Sequence, residues 1–225
     1  MKAPWPIQAV VFDMDGLLVD TEVLCRDAMM EATRRLGLEL PMDVFLTMVG
    51  SPQAHTRAVA MKHFGEGFDC DGWIADTWAL AHARIDLGVA LKAGVTELLD
   101  ALEAADIPRA IATSSTHATV ERQLGPHALI PRFQAIVANG DYARGKPSPD
   151  PFLVAAERLG VDPALCLALE DSHNGVRAAH AAGMMTIMAP DLLEATPEIA
   201  ALCIGVVDTL HEVRALFAAS PEADR

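Results

Sequence analysis

The chain from residue 93 onwards alternates amphipathic helix patterns with apolar strand patterns, and this alternation constrains the fold most strongly. Helices are predicted over 93–105, 117–124, 150–159, 174–182 and 209–218, with strands over 107–112, 134–138, 166–169 and 184–188. A last short strand is expected within 199–207. Such alternation is typical of a parallel sheet with right-handed crossovers and helices on both faces. The sequence therefore predicts an α/β fold, a doubly wound parallel sheet with a Rossmann-like core.

A separate strand is predicted near the start of the chain, and it ends at two aspartates. The apolar run from Ala9 is followed by Asp13, Met14, Asp15 and Gly16. On an extended backbone the two carboxylates would lie on one face, at the sheet edge where open α/β folds bind ligands. Two carboxylates this close repel each other, which raises the pKa of one of them unless a cation or a shared proton lies between them. Taken alone, the pattern suits a solvated strand end equally well.

The segment between this strand and the alternating region is predicted to be helical. Helix patterns cover 21–36, 41–48, 52–64 and 71–85, and no convincing strand pattern occurs among them. A crossover between parallel strands needs only about a dozen residues, so this segment is too long for one. We therefore expect an α/β core formed by 1–20 and 90–225, with an inserted α-helical domain over 21–89.

The composition argues against several classes of partner. The 225 residues include 31 acidic and 17 basic side chains, and the formal net charge of -14 disfavours nucleic acid or an anionic membrane as a partner. No apolar run is long enough to span a membrane, and residues 1–6 lack the apolar core of a signal peptide. The four cysteines form no C-x-x-C pair. We expect a cytoplasmic protein with reduced thiols, a monomer or a small homo-oligomer.

Polar residues also follow the later strands. Thr113 and Ser114 precede a predicted helix, where hydroxyl and backbone N–H groups can bind phosphate. Lys146 lies between a glycine and a proline, and Glu170 and Asp171 follow strand 166–169. Helix capping or solvation would explain each segment alone. Together at one sheet edge they supply a nucleophile, a proton carrier, an anion-binding group, a cation and ligands for a hard metal ion.

These segments resemble the four motifs of the haloacid dehalogenase-like hydrolase superfamily. The resemblance covers nearly the whole chain, includes a cap inserted after the first strand, and favours the capped phosphatase and β-phosphoglucomutase branch. The matching segments are Phe12-Asp13-Met14-Asp15-Gly16, Thr113, Lys146-Pro147 and Glu170-Asp171-Ser172.

The resemblance implies hydrolysis of a phosphomonoester through an aspartyl-phosphate. Asp13 would attack the phosphorus, and Asp15 would protonate the leaving alcohol and then activate water. A Mg²⁺ ion is the implied cofactor. Its implied ligands are the carboxylates of Asp13 and Asp171 and the backbone carbonyl of Asp15, with Glu170 as a further ligand or a nearby acid. The implied phosphate-binding residues are Thr113, Lys146 and the backbone of Ser114.

The substrate class follows from the second aspartate and the cap. Asp15 favours phosphoester chemistry, because dehalogenases and phosphonoacetaldehyde hydrolases that resemble this chain lack an acid there or do not need one. We expect a small-molecule phosphate ester, such as a sugar or polyol phosphate. The candidate specificity residues in the cap are Glu22, Gln53, His55 and Arg57.

Two alternatives remain open. A β-phosphoglucomutase-like phosphohexomutase is disfavoured, because Cys25 and Gly50 stand where such mutases have a histidine and an arginine. A non-enzymatic, phospho-accepting signalling module also places an aspartate, an acid pair, a threonine and a lysine at a sheet edge. The cap and the pairing of Asp13 with Asp15 argue against that second alternative.

Overall fold

The computed structural model describes residues 6–51 and 53–217, which form two compact units. The first unit contains the described residues up to Val19 and from Leu91 onwards, and the second is Asp20–Ala90. None of the helices in these residues is both long enough and apolar enough to cross a membrane. The four cysteines are free thiols.

The first unit is built on a parallel sheet. The strands in the described residues are β1 (Ala9–Phe12), β2 (Arg109–Ala112), β3 (Ala135–Val137), β4 (Cys166–Glu170), β5 (Met185–Met188) and β6 (Gly205–Val206). Their order across the sheet is β3-β2-β1-β4-β5-β6, and every neighbouring pair is parallel. The strand order reverses between the neighbours β1 and β4, which is where doubly wound sheets open a crevice at the carboxyl ends of their strands. This topology confirms the predicted α/β fold class.

The helices are divided between the two units. The second unit contains α1 (Thr21–Arg35), α2 (Met42–Leu46), α3 (Gln53–Phe64) and α4 (Cys70–Asp86). The first unit contains α5 (Val95–Ala104), α6 (His117–Leu124), α7 (Asp150–Leu159), α8 (His173–Ala181), α9 (Pro197–Ala200) and α10 (Leu210–Arg214), with 3₁₀ turns at Gly125–His127, Ile130–Arg132 and Pro163–Leu165.

Each unit has its own apolar core. Every residue of β1 and β4 is buried, as expected for central strands of a parallel sheet whose two faces are covered. In the second unit, α1 packs against α4, and the buried indole of Trp73 donates a hydrogen bond from Nε1 to Thr33 Oγ1 at 3.0 Å. A buried indole needs such a partner, so this bond fixes how the two helices face each other.

The last predicted strand is present but covers only a small part of the segment 199–207. The strand is β6, in which Gly205 and Val206 pair with β5, whereas Ile199 lies in α9. Pro197 occupies the first turn of α9, and the Thr196 side chain accepts a hydrogen bond from the Ile199 N–H at 3.4 Å. These local signals start a helix where apolar residues alone indicate a strand.

The remaining predicted elements differ from the observed ones mainly at their ends. The predicted helix 41–48 is shorter in the structure, since α2 covers Met42–Leu46, and the last predicted helix is regular only over Leu210–Arg214. Predictions for residues 1–5, for the proline at 52 and for the tail at 218–225 lie outside the described residues.

Candidate active site

Three acidic residues meet where the central strands β1 and β4 end. Asp13 follows β1, and its backbone N–H donates to the Leu169 carbonyl at 2.9 Å, which keeps it beside the end of β4. Glu170 is the last residue of β4, and Asp171 follows it. Asp13, Glu170 and Asp171 each offer a carboxylate oxygen, and these oxygens all lie within 4.8 Å of one another.

Lys146 contributes a buried positive charge to this group. Its side chain is 7% exposed, and Nζ donates hydrogen bonds to Asp13 Oδ1 and, at 2.5 Å, to Glu170 Oε1. Burial by itself would lower the pKa of Lys146, but the two carboxylates raise it well above its ordinary value. Lys146 is therefore an ammonium ion at neutral pH.

The carboxyl of Asp13 experiences the opposite balance. Burial, with smaller contributions from Glu170 and Asp15, raises the pKa of Asp13 to about 8, even though Lys146 acts against them. A single ammonium thus does not compensate the acids gathered around it. With Asp13, Glu170 and Asp171 all ionised, the arrangement would carry surplus negative charge, which a bound cation would neutralise.

Glu170 is held by hydrogen bonds from its own loop. Its side chain is fully buried, and Oε2 accepts from Ser172 Oγ at 3.1 Å and from the backbone N–H groups of Asp171 and Ser172. A Cβ on Gly175, in the first turn of α8, would lie 1.9 Å from the Glu170 carboxylate. Glycine at 175 therefore allows α8 to pack directly on Glu170, which in turn holds Lys146.

Asp15 has a different partner from Asp13. Its Oδ2 accepts a hydrogen bond from Ser115 Oγ at 2.7 Å, across the edge of the sheet. β1 ends at Phe12, and the chain turns after the two aspartates at Gly16, whose φ is +82°. The two carboxylates therefore accept hydrogen bonds from different side chains, Asp13 from Lys146 and Asp15 from Ser115.

The segment after β2 is not explained by helix capping alone. Thr116 caps α6, since its side chain accepts from the Thr119 N–H at 3.2 Å. Thr113 is buried, and its Oγ1 accepts from the Ser115 N–H at 3.0 Å, which leaves the Thr113 hydroxyl hydrogen to donate elsewhere. Ser114 is exposed.

Residues 10–189 match the family model described as haloacid dehalogenase-like hydrolase. The chain belongs to this family. It is similar to protein CbbY encoded on a plasmid of Cupriavidus necator, with 34% identity over 206 residues that cover 84% of this chain and 80% of that protein. It is also similar to the fructose-1-phosphate phosphatase YqaB of Escherichia coli, with 32% identity over 183 residues that cover 78% of this chain and 92% of YqaB.

A solved structure shows the same fold. It is the crystal structure of a CbbY mutant from Rhodobacter sphaeroides in complex with xylulose-(1,5)bisphosphate, with 28% identity and a TM-score of 0.70. The match covers 92% of this chain and 96% of that one. The predicted membership of the haloacid dehalogenase-like hydrolases, in their phosphatase and β-phosphoglucomutase-like branch, is confirmed. Membership of a hydrolase family favours an enzyme over the signalling module.

The four candidate specificity residues lie in the second unit, and the structure does not bring them all together. Glu22 and Gln53 line the same cavity of about 280 Å³, whose walls are largely apolar. His55 Nε2 instead lies 3.1 Å from the Thr47 carbonyl oxygen, and Arg57 pairs with Asp71. Neither His55 nor Arg57 lines that cavity.

Sequence reasoning missed two polar interactions near the family's motifs. Ser115, the partner of Asp15, adjoins the predicted phosphate-binding residues, so its position was a usable signal. The second is an ion pair in which Lys92 Nζ donates to Asp191 Oδ1 at 2.8 Å. These two residues are 99 positions apart, and no local pattern connects them.

Proposed function

We propose that this chain is a Mg²⁺-dependent hydrolase of phosphomonoesters of small metabolites, such as sugar or polyol phosphates, that acts through an aspartyl-phosphate. The observation that carries the proposal is the buried Lys146 ammonium between Asp13 and Glu170. A cation in contact with the nucleophile can also bind the oxygens of the phosphoryl group that the nucleophile attacks. The names of the similar proteins, which include a fructose-1-phosphate phosphatase, support this substrate class.

The donor set fits Mg²⁺, which prefers carboxylate and carbonyl oxygens. Glu170 already accepts hydrogen bonds from Lys146, from Ser172 and from its own loop. We therefore assign the ion to the Asp13 and Asp171 carboxylates and, as the family resemblance implies, to the backbone carbonyl of Asp15. When bound, Mg²⁺ would neutralise charge on the phosphoryl oxygens and keep Asp13 ionised.

In the first step, the Asp13 carboxylate attacks phosphorus, and the bond from phosphorus to the ester oxygen breaks. Asp15 gives its proton to that oxygen, and the hydrogen bond from Ser115 holds the Asp15 carboxyl in position. In the second step, Asp15 takes a proton from the water that attacks the same phosphorus. Inorganic phosphate leaves, and Asp13 is regenerated as a carboxylate.

Two further groups bind the transferring phosphoryl group in this proposal. Lys146 stabilises the negative charge on the phosphoryl oxygens. Its ammonium is already buried and in contact with Asp13, so little reorganisation is needed. The Thr113 hydroxyl donates to a second oxygen, because its own oxygen already accepts from Ser115. The Ser114 backbone N–H is a third donor implied by the family resemblance.

We propose that the second unit is the cap that determines substrate specificity. Glu22, Gln53, His55 and Arg57 are the candidate contacts with the part of the substrate that carries no phosphate. Glu22 and Gln53 are the stronger candidates, because they line a common cavity, whereas Arg57 is paired with Asp71. Closed caps exclude water from the reacting group in enzymes of this kind.

The test is a screen for phosphate release from phosphorylated metabolites with Mg²⁺ present, with the Asp13→Asn variant as the matched control. We expect release from at least one sugar or polyol phosphate and none with the variant. Incubation with β-glucose 1-phosphate separates the alternatives, since glucose 6-phosphate indicates a mutase and free phosphate a hydrolase. Failure of the folded parent protein to release phosphate from any ester contradicts the proposal.

A further inference from the structure

A further buried carboxylate, in addition to those of Asp13 and Glu170, lies close to the proposed metal ligands. Asp191 follows β5, and its side chain is 8% exposed. Oδ1 accepts a hydrogen bond from Lys92 Nζ at 2.8 Å. Oδ2 is buried and has no hydrogen-bond partner within residues 6–51 and 53–217. Oδ1 is therefore compensated by the Lys92 ammonium, whereas Oδ2 is not compensated by any described group.

The uncompensated oxygen points to the turn that follows the two aspartates. A Cβ built on Gly16 would lie 2.2 Å from Asp171 Oδ2 and 3.3 Å from Asp191 Oδ2. Both carboxylates thus approach the same α-carbon, one from the loop after β4 and one from the segment after β5. Glycine at 16 permits this double approach, and its φ of +82° independently favours glycine.

This arrangement is unfavourable unless something else binds there. A buried carboxylate oxygen without a donor loses its hydration and gains nothing in return. It also lies near the carboxylate of Asp171, which has the same charge. A water molecule that donates to Asp191 Oδ2 while its oxygen binds a cation would satisfy both needs.

We infer that Asp191 is a positioning residue for the divalent cation, and this inference rests on the metal site of the proposed function. Its Oδ2 accepts a hydrogen bond from water bound to the cation at Asp13 and Asp171, while Lys92 fixes the carboxylate through Oδ1. Asp191 does not belong to the group of described acids whose oxygens all lie within 4.8 Å of one another, so it acts through water. Such outer partners orient the groups that bind a metal directly.

The test compares the divalent-cation affinity of Asp191→Asn with that of Glu194→Gln, by titration calorimetry of metal-free protein with Mg²⁺ and with Mn²⁺. Asparagine keeps the shape of the side chain and an acceptor for Lys92, but presents an amide donor in place of Oδ2. Glu194 is an exposed acid of the same segment, so its variant controls for the lost charge. We expect Asp191→Asn to bind about tenfold more weakly and Glu194→Gln to bind like the parent.

A double variant, Lys92→Met with Asp191→Leu, guards against misfolding of the single one. It removes the ion pair as a unit and keeps the net charge, an exchange that proteins often tolerate. We expect it also to bind the cation about tenfold more weakly.

The possible outcomes separate the inference from the proposed function. Parental affinity in folded Asp191→Asn, or in the double variant, overturns the inference alone. A parent protein that binds neither Mg²⁺ nor Mn²⁺ overturns the metal site of the proposed function, and the inference with it.

Discussion

The two edges of the sheet each contain a buried cation among acids, yet they differ in charge balance. At the amino edge, Arg109 begins β2 with a side chain 5% exposed, and it donates to Glu103 Oε1 at 2.6 Å. Arg132 donates to Glu103 and, at 2.6 Å, to Asp100. We call these four residues the Arg109 cluster.

At the carboxyl edge, the Lys146 cluster consists of Lys146, Asp13, Glu170 and Asp171.

The pKa shifts reflect this difference. In the Arg109 cluster two guanidinium groups face two carboxylates, and hydrogen bonds from Arg132 hold the pKa of Glu103 below its usual range. In the Lys146 cluster one ammonium faces three acids, and burial raises the pKa of Asp13 to about 8. In the Arg109 cluster the opposite charges are equal in number, whereas three ionised acids around the Lys146 ammonium would leave negative charge that a further cation could neutralise. Charge balance therefore distinguishes the structural edge from the candidate active site.

The largest expected effect is that of metal removal, which acts on the Lys146 cluster alone. EDTA should reduce phosphate release to the level of the Asp13→Asn variant, and added Mg²⁺ should restore it, because the surplus acids then regain their cation. The measurement is the rate of phosphate release before and after Mg²⁺ is returned. Full activity in EDTA would show that the surplus charge has no part in turnover.

The next effect comes from the buried lysine. Lys146→Met should lower kcat by about a hundred- to a thousandfold, because it removes the preformed positive charge at the phosphoryl oxygens. Steady-state kinetics, with circular dichroism to confirm folding, check this expectation. The matched change at the other edge, Arg109→Met, should leave kcat unchanged, and an equal loss of activity in both variants would refute the distinction.

The amino edge should instead respond in stability. Arg109→Met should lower the free energy of unfolding by about 1–3 kcal/mol, since it removes a buried guanidinium and leaves Glu103 with one partner fewer. Urea unfolding followed by circular dichroism measures this change. Because Glu103 is partly exposed, solvent screens its charge and limits the loss. Unchanged stability would indicate that the Arg109 cluster contributes little.

The smallest expected effect concerns Asp141, a carboxylate at the carboxyl edge whose charge is compensated by hydrogen-bond donors. The Ala138 backbone N–H, Arg158 and His117 hydrogen-bond to Asp141 and lower its pKa to about 2. A carboxyl whose pKa falls on folding stabilises the fold above its unfolded pKa of about 4. That contribution is lost as the pH falls towards about 2.

Asp141→Asn should therefore reduce stability at pH 6 by more than at pH 3. Urea unfolding of both proteins at the two pH values provides the comparison, and the gap between them should narrow on acidification. A gap that stays constant, or widens, would mean that the hydrogen bonds to Asp141 do not depend on its charge.

The sequence predicts that Asp13, Lys146 and the pair Glu170 and Asp171 meet at the carboxyl edge, because the carboxyl ends of parallel strands share one edge of the sheet. It does not predict how they pair. Glu170 and Asp171 are neighbours in sequence, yet Glu170 binds Lys146 and Asp171 lies against Gly16. The two side chains diverge where the chain leaves β4 and turns into α8. The contact between Lys92 and Asp191 depends on the order of the strands, which local patterns do not encode.

The central claim is that Asp13 forms a covalent bond to phosphorus, and trapping the enzyme during turnover tests it most directly. The protein is mixed with Mg²⁺ and p-nitrophenyl phosphate, quenched in acid within the first turnovers, digested, and analysed by mass spectrometry. We predict a phosphoryl group on Asp13, absent from the Asp13→Asn variant, which also releases no phosphate. Phosphate attached to a different residue, or undiminished release by Asp13→Asn, would contradict the account.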